Sequence, residues 1–199
     1  MIVVDVETTD VSPYKGGILS LGAVEFEQPS NNFYSECRVD ANTFVNPYSL
    51  QVNGFSSKDI TDPVKPTQTE LINKFYQWTK GVRDATLGGH NTAFDLGFLR
   101  AAFKKAGYER FPLSMFFVDM HNIVYAHMLK HLKEVPVNKY GSFSIKADEV
   151  YKYVGLPPEP KPHRGLTGAT MEAEAMGRLI YGKSIIKEFA QYPMPEKFQ

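Results

Sequence analysis

The opening run, Met1-Ile2-Val3-Val4-Asp5-Val6-Glu7-Thr8-Thr9, constrains this chain most, because two carboxylates interrupt an apolar, β-branched strand. Ile2, Val3, Val4 and Val6 suit a strand covered on both faces, and such a strand has no packing reason to carry acids. Side chains alternate along a strand, so Asp5 and Glu7 point to one side and Val4 and Val6 to the other. Two like charges held that close repel unless a cation sits between them. Hard divalent ions such as Mg²⁺ and Mn²⁺ take oxygen ligands and leave positions open for phosphate oxygens. Taken alone, the stretch also fits an ordinary strand end whose two acids are solvated.

The rest of the chain reads as one domain of moderate size. Its 199 residues can bury a core without disulfides. With 22 basic and 22 acidic residues there is no global field to hold a long polyanion, so a nucleic-acid substrate needs a local site, a short length or delivery by a partner. Cys37 is the single cysteine, which excludes an internal disulfide and a thiolate zinc site and points to a reducing, cytoplasmic setting. No long apolar segment or signal peptide is present, so no membrane association is expected.

In chain order, strands are predicted at 1–9, 18–26 and 33–39, joined by short polar connections that suit an antiparallel meander. Residues 40 to 66, rich in proline, read as a surface excursion with at most a short helix near Ser57–Ile60. The period then becomes helical through Leu71, Ile72, Phe75 and Trp78, with a short strand at 85–89 and a second helix from Phe94 to Ala106. A fifth strand at 115–118 leads into a helix from Asp119 to Leu132. Further helices are predicted from Ser142 to Val154 and from Leu166 to Tyr181, separated by the proline-rich Leu156–Pro162. Three strands followed by alternating helices and strands indicate an α/β mixed five-stranded sheet with helices on both faces.

Two more stretches carry chemistry. In Gly88-Gly89-His90-Asn91-Thr92-Ala93-Phe94-Asp95 a strand and a polar turn lead into a helix, where Thr92 and Asp95 resemble a capping box and His90 orders the turn. In Pro162-His163-Arg164-Gly165-Leu166 a loop histidine stands just before a helix. An imidazole titrates near neutrality and suits proton transfer, although a solvated loop histidine is the commoner case. Asp119, after a short strand, suits either the cleft or a helix cap. His127 and His131 have metal-compatible spacing but no third ligand nearby in sequence.

Together, Asp5-Val6-Glu7-Thr8-Thr9, Gly89 to Asp95 and His163-Arg164-Gly165-Leu166 resemble the three ordered motifs of the DEDDh family of 3′-to-5′ exonucleases, which includes ribonuclease T and polymerase proofreading subunits. The resemblance implies a ribonuclease H-like fold over residues 1–185, with 186–199 as a C-terminal extension. It also implies two Mg²⁺ or Mn²⁺ ions and release of nucleoside monophosphates from the 3′ end of DNA or RNA. Asp5 would bridge the ions, Glu7 would bind one, Asp95 would hold the second, and His163 would be the general base. Thr8, Thr9, Tyr14, His90, Asn91 and Phe94 would meet substrate, although the helical spacing of Phe94 and Phe98 also suits a core. A protein partner or a homodimer is compatible with the family.

At one position the sequence departs from the family. Five residues after His163 the family carries its fourth acid, and this chain has Gly168. Glu172, one helical turn on and leaning toward the N-terminus, is expected to replace it as a metal ligand. The competing expectation is that Glu172 and Glu174 lie on a solvated face. The competing function is a weakened relative that binds nucleic-acid ends or a partner protein without cutting.

Overall fold

The computed structural model describes residues 1–131 and 135–196. Strand β1 (Ile2–Thr8) lies at the centre of a five-stranded sheet of order β3-β2-β1-β4-β5. It pairs antiparallel with β2 (Ile18–Glu25), which pairs antiparallel with β3 (Asn32–Glu36). On its other side it pairs parallel with β4 (Leu87–Gly89), which is parallel to β5 (Phe117–Asp119). Parallel pairing needs a crossover, and α3 (Thr92–Lys105) supplies it between β4 and β5.

The alternation along β1 divides the core in two. Ile2, Val4 and Val6 pack against Leu71, Ile72 and Phe75 of α2 (Gln68–Thr79) and against Leu96, Leu99 and Phe103 of α3. Val3 faces the other way, toward α4 (Met120–His131), α5 (Ala147–Tyr153) and α6 (Gly165–Tyr181). Each fully buried valine or isoleucine of β1 contributes about 1.5–3 kcal/mol, so the central strand is held firmly from both sides. Asp5 and Glu7 share the α6 face with Val3, as the alternation requires.

Several boundaries differ from the sequence expectation. No helix forms at Ser57–Ile60, where Asp59 instead accepts from the Ser56 amide and hydroxyl in a turn. The helix of this excursion is α1 (Pro47–Asn53), whose cap Asn46 accepts from the Tyr48 amide and which ends at Gly54 with φ 68°. Pro47 signalled loop in the sequence, yet proline is well suited to a first helical turn. The helix expected from Ser142 begins only at Ala147, because Phe143 bridges Val137 and Asn138 anchors a turn. Strand β5 lies two residues later than expected, and Leu132, the expected end of α4, lies outside the described residues.

Helix α6 does not present Glu174 to solvent. Glu174 and Arg178 form a fully buried ion pair with Nε to Oε1 at 2.7 Å. The other Glu174 oxygen accepts from the Ile185 and Ile186 amides, and Arg178 donates to the carbonyls of Val154, Phe189 and Tyr192. The pair thus ties residues 185–192 to α6.

The first turn of α6 lies directly on the backbone of β1 and β2. A Cβ at Gly22 would sit 2.1 Å from the Gly165 carbonyl carbon, and one at Gly165 would sit 2.7 Å from the Asp5 carbonyl oxygen. Gly22 is also the partner of Asp5 across the β1–β2 ladder. We expect Gly22→Ala to cost about 1–3 kcal/mol or more, since the obstructing atoms are backbone and cannot rotate away. Urea denaturation checks this, and an unchanged midpoint would contradict the contact.

Candidate active site

The glycine contact brings α6 against the two acids of β1. A Cβ at Gly168 would lie 2.0 Å from Asp5 Oδ2, so the position where the family carries an acid faces Asp5 and is filled by the Asp5 carboxylate itself. One turn on, Glu172 is buried, and its carboxylate accepts from the His90 amide at 3.1 Å. The solvated face is therefore wrong for both Glu172 and Glu174.

Asp95 reaches the same region from the first turn of α3. It is 4% exposed, and its Oδ1 accepts from the Val6 amide at 2.9 Å, locking α3 to β1 between the two strand acids. The expected capping box is absent. Asn91, in the left-handed region at φ 58°, is the cap residue, and Thr92 Oγ1 donates to the Gly89 carbonyl. Asp119, at the end of β5, accepts from the Asn91 and Thr92 amides and so serves as the cap.

Burial and mutual repulsion govern the charge of this group. Burial first, then the charges of Glu172, Glu7, Asp95 and Glu159, push the Asp5 carboxyl well above the usual carboxylate range. Burial and Asp95 do the same to Glu172. Glu7 is pushed up to about 7 by burial and Glu159, with Arg164 opposing, and Asp95 to about 8 mainly by burial. The fully buried Tyr151 of α5 lies beneath them, and its hydroxyl, partnerless among the described residues, is raised by burial and then by Glu172 and Glu159.

His163 stands in the loop before α6, one third exposed, with Nδ1 3.2 Å from Glu159 Oε2. Among the described residues, ligand atoms of Glu7, Glu159 and His163 lie within 4.8 Å of one another, and Asp5, Asp95 and Glu172 surround this group without joining it. Sequence reasoning missed Glu159. Its signal was an acid held among four prolines, four residues before the motif histidine. Arg164 was also missed; its guanidinium lies 4.9 Å over the Phe55 ring and donates to the Asn53 carbonyl.

The expected substrate contacts divide. Thr8 and Thr9 are buried and hold the loop after β1: Thr8 donates to the Asp10 carbonyl, and Thr9 donates to the Phe44 carbonyl while accepting from the Gly17 amide. Both hydroxyls are thus engaged within the protein. Tyr14 and Asn91 are exposed. Phe94 is half-buried against the core residue Phe98, with ring centroids 5.0 Å apart. His90 is half-buried with Nε2 3.1 Å from the Ile145 carbonyl, and burial lowers its pKa. His127 and His131 stack at 4.3 Å away from the acids, and His127 Nδ1 lies 2.9 Å from the Tyr153 hydroxyl.

The raised acids bind protons more tightly in the folded chain than in the unfolded one. Their contribution to metal-free stability is therefore fully present below their ordinary values of 4.5 and 3.8, and it is lost as pH rises through about 7 for Glu7 and about 8 for Asp95. We expect a loss on the order of a few kcal/mol between pH 5 and 8 in chelator, largely reversed by Mg²⁺ or Mn²⁺. Thermal melts across this range check the sign, and a metal-free chain that gains stability toward pH 8 would contradict it.

Comparison with known proteins gives a consistent picture. The family model RNase_T, described as Exonuclease, matches residues 2–176. Ribonuclease T of Haemophilus influenzae is 30% identical over 130 residues, 58% of this chain and 56% of that protein. DNA polymerase III subunit epsilon of Escherichia coli is 35% identical over 106 residues, 49% of this chain and 41% of that protein. The chain thus spans little more than half the length of these curated relatives, or less. The nuclease domain of 3′hExo, a DEDDh family member solved bound to rAMP, superposes with a TM-score of 0.68 at 15% identity, covering 98% of this chain and 95% of that one. This likeness shows the fold, the ribonuclease H-like mixed sheet that the sequence led us to expect.

Proposed function

Because the chain belongs to the RNase_T exonuclease family, we propose that it is a metal-dependent 3′-to-5′ exonuclease that releases nucleoside monophosphates from DNA or RNA ends. The observation that carries this reading is the convergence of buried acids from β1, α3 and α6 beside a loop histidine that is one third exposed.

The residues fit a divalent cation. Burial and neighbouring acids raise the pKa values of Asp5, Glu7, Asp95 and Glu172, against which stand the amides of Val6 and His90 and, at Glu7, the Arg164 guanidinium. Asp5, Glu7, Asp95 and Glu172 would hold Mg²⁺ or Mn²⁺, with Glu172 supplying the charge that Gly168 lacks. Two such ions, when bound, stabilise the attacking and leaving oxygens of an in-line displacement at phosphorus.

The chain's own groups do the rest. His163 accepts the proton of the attacking water, its loop giving it access from solvent to the Glu7 side of the cluster. Glu172 holds the β4–α3 turn through the His90 amide, which keeps Asp95 facing β1. Exposed Tyr14 and Asn91 and the edge of Phe94 receive the terminal nucleotides, where stacking is tolerant of base identity. With no net charge, the chain engages a short end rather than a long backbone, or relies on a protein partner or second copy to deliver it. Among the described residues no helix is long and apolar enough to cross a membrane, and we assign the activity to the cytoplasm.

A 5′-labelled oligonucleotide assay with Mg²⁺, Mn²⁺ or EDTA tests the reading. Cleavage should proceed stepwise from the 3′ end and stop in EDTA. Asp5→Ala should abolish it with the fold intact, and His163→Ala should slow it by about 10²-fold or more with metal affinity retained. Wild-type rates in either variant would sink the corresponding role. Glu172→Gln, which keeps shape and removes charge, should weaken Mn²⁺ binding by about 10-fold or more and lower cleavage in parallel. An unchanged affinity would show that Glu172 does not replace the missing acid.

A further inference from the structure

Glu159 is the acid that neither the family motifs nor the sequence singled out. It lies in the segment Leu156 to Pro162, where four prolines restrict the backbone. Leu156 is buried at one end, and the Glu159 amide donates to Asp148 Oδ1 at 3.1 Å, so the segment is pinned at its centre. The side chain is only 8% exposed.

Its two oxygens have different fates. Oε2 lies 3.2 Å from His163 Nδ1. Oε1 is buried and has no hydrogen-bond partner among the described residues. Leaving a carboxylate oxygen buried and unmatched is costly, and the cost of orphaning a charged group exceeds that for a neutral one. A ligand atom of the same side chain stands within 4.8 Å of ligand atoms of both Glu7 and His163. A rigid segment therefore delivers a nearly buried carboxylate beside Glu7 and His163, with one oxygen unsatisfied.

We propose that Glu159 is a metal ligand of this chain, sharing one divalent cation with Glu7. The inference rests on the two-cation reading of the site. Each ion then has its own acids around the shared Asp5: Glu7 and Glu159 on one flank, Asp95 and Glu172 on the other. Glu159 thus adds, from a stiff loop outside the motifs, a carboxylate beyond the one that Glu172 supplies. Because Oε2 faces His163 Nδ1, the same side chain also holds the imidazole by that nitrogen and leaves Nε2 to take the proton, so it positions the base as well as holding the ion.

Calorimetric titration of Mn²⁺ into the full chain, without nucleic acid, tests this independently of activity. Wild type should take up two ions. Glu159→Gln should bind one with unchanged affinity and the other about 10-fold or more weakly. Circular dichroism should show the same fold, and the metal-free variant should melt no lower than wild type, because a buried charge is gone. Should the glutamine variant fold poorly, Glu159→Asp keeps the charge on a side chain one methylene shorter, and one of its two ions should likewise bind more weakly. A folded variant of either kind that binds both ions as wild type does overturns the assignment while leaving the two-cation reading intact. A wild-type chain that takes up no Mn²⁺ overturns both.

Discussion

Mutual repulsion among buried carboxylates around Asp5 is the constraint on which the rest of the structure depends. Taking one carboxylate out of water costs several kcal/mol even after relaxation, and here acids from three elements share one region. The N-termini of α3 and α6 lie beside it, although Asp119 already takes the Asn91 and Thr92 amides of α3. Such an end contributes only about 0.3–1 kcal/mol per charge. The amides of Val6 and His90 add one hydrogen bond each. These sources do not balance the burial of several charges, so the metal-free acids hold protons more tightly than free carboxylates do, and in our proposal cations take the place of those protons.

The fold supplies the rigidity such a cluster needs. The apolar side chains of β1 are clamped between α2 and α3 on one face and α4 to α6 on the other, so the strand cannot twist its acids toward water. The Gly22–Gly165 contact sets the height of α6 above the sheet to within the size of a methyl group. The Glu174–Arg178 pair extends that order to the segment after α6, where its carboxylate and guanidinium close otherwise open backbone groups. Position along β1 thus becomes position of charge: Val3 packs, while Asp5 and Glu7 on the same face meet α6 and the histidine loop.

Much of this was legible in the sequence because it depends on period and order. The D-x-E within an apolar run gave the acids a common face, and the three motifs in sequence gave the fold and the chemistry. Helical geometry relates Gly168 to Glu172 one turn on, and the structure buries Glu172 against the His90 amide; its role as a ligand is our proposal. The misses are of another kind. Glu159 reaches the site through a loop whose path no period describes, and its prolines announced only the end of regular structure. Asp95 reads in sequence as the second motif's acid, with a helix cap as the competing reading; only the position of β1 shows that its partner is the Val6 amide. Thr8 and Thr9 sit inside a motif but spend their hydroxyls on the loop beneath it, a distinction that depends on residues 10, 17 and 44 being brought alongside.

The site makes sense only as a place for cations, so locating them is the most direct test. Crystals of the wild-type chain grown with Mn²⁺ and measured at the manganese absorption edge should show two anomalous peaks beside Asp5, one on the Glu7 side and one on the Asp95 side. Manganese bound elsewhere, with no peak beside Asp5, would contradict the account.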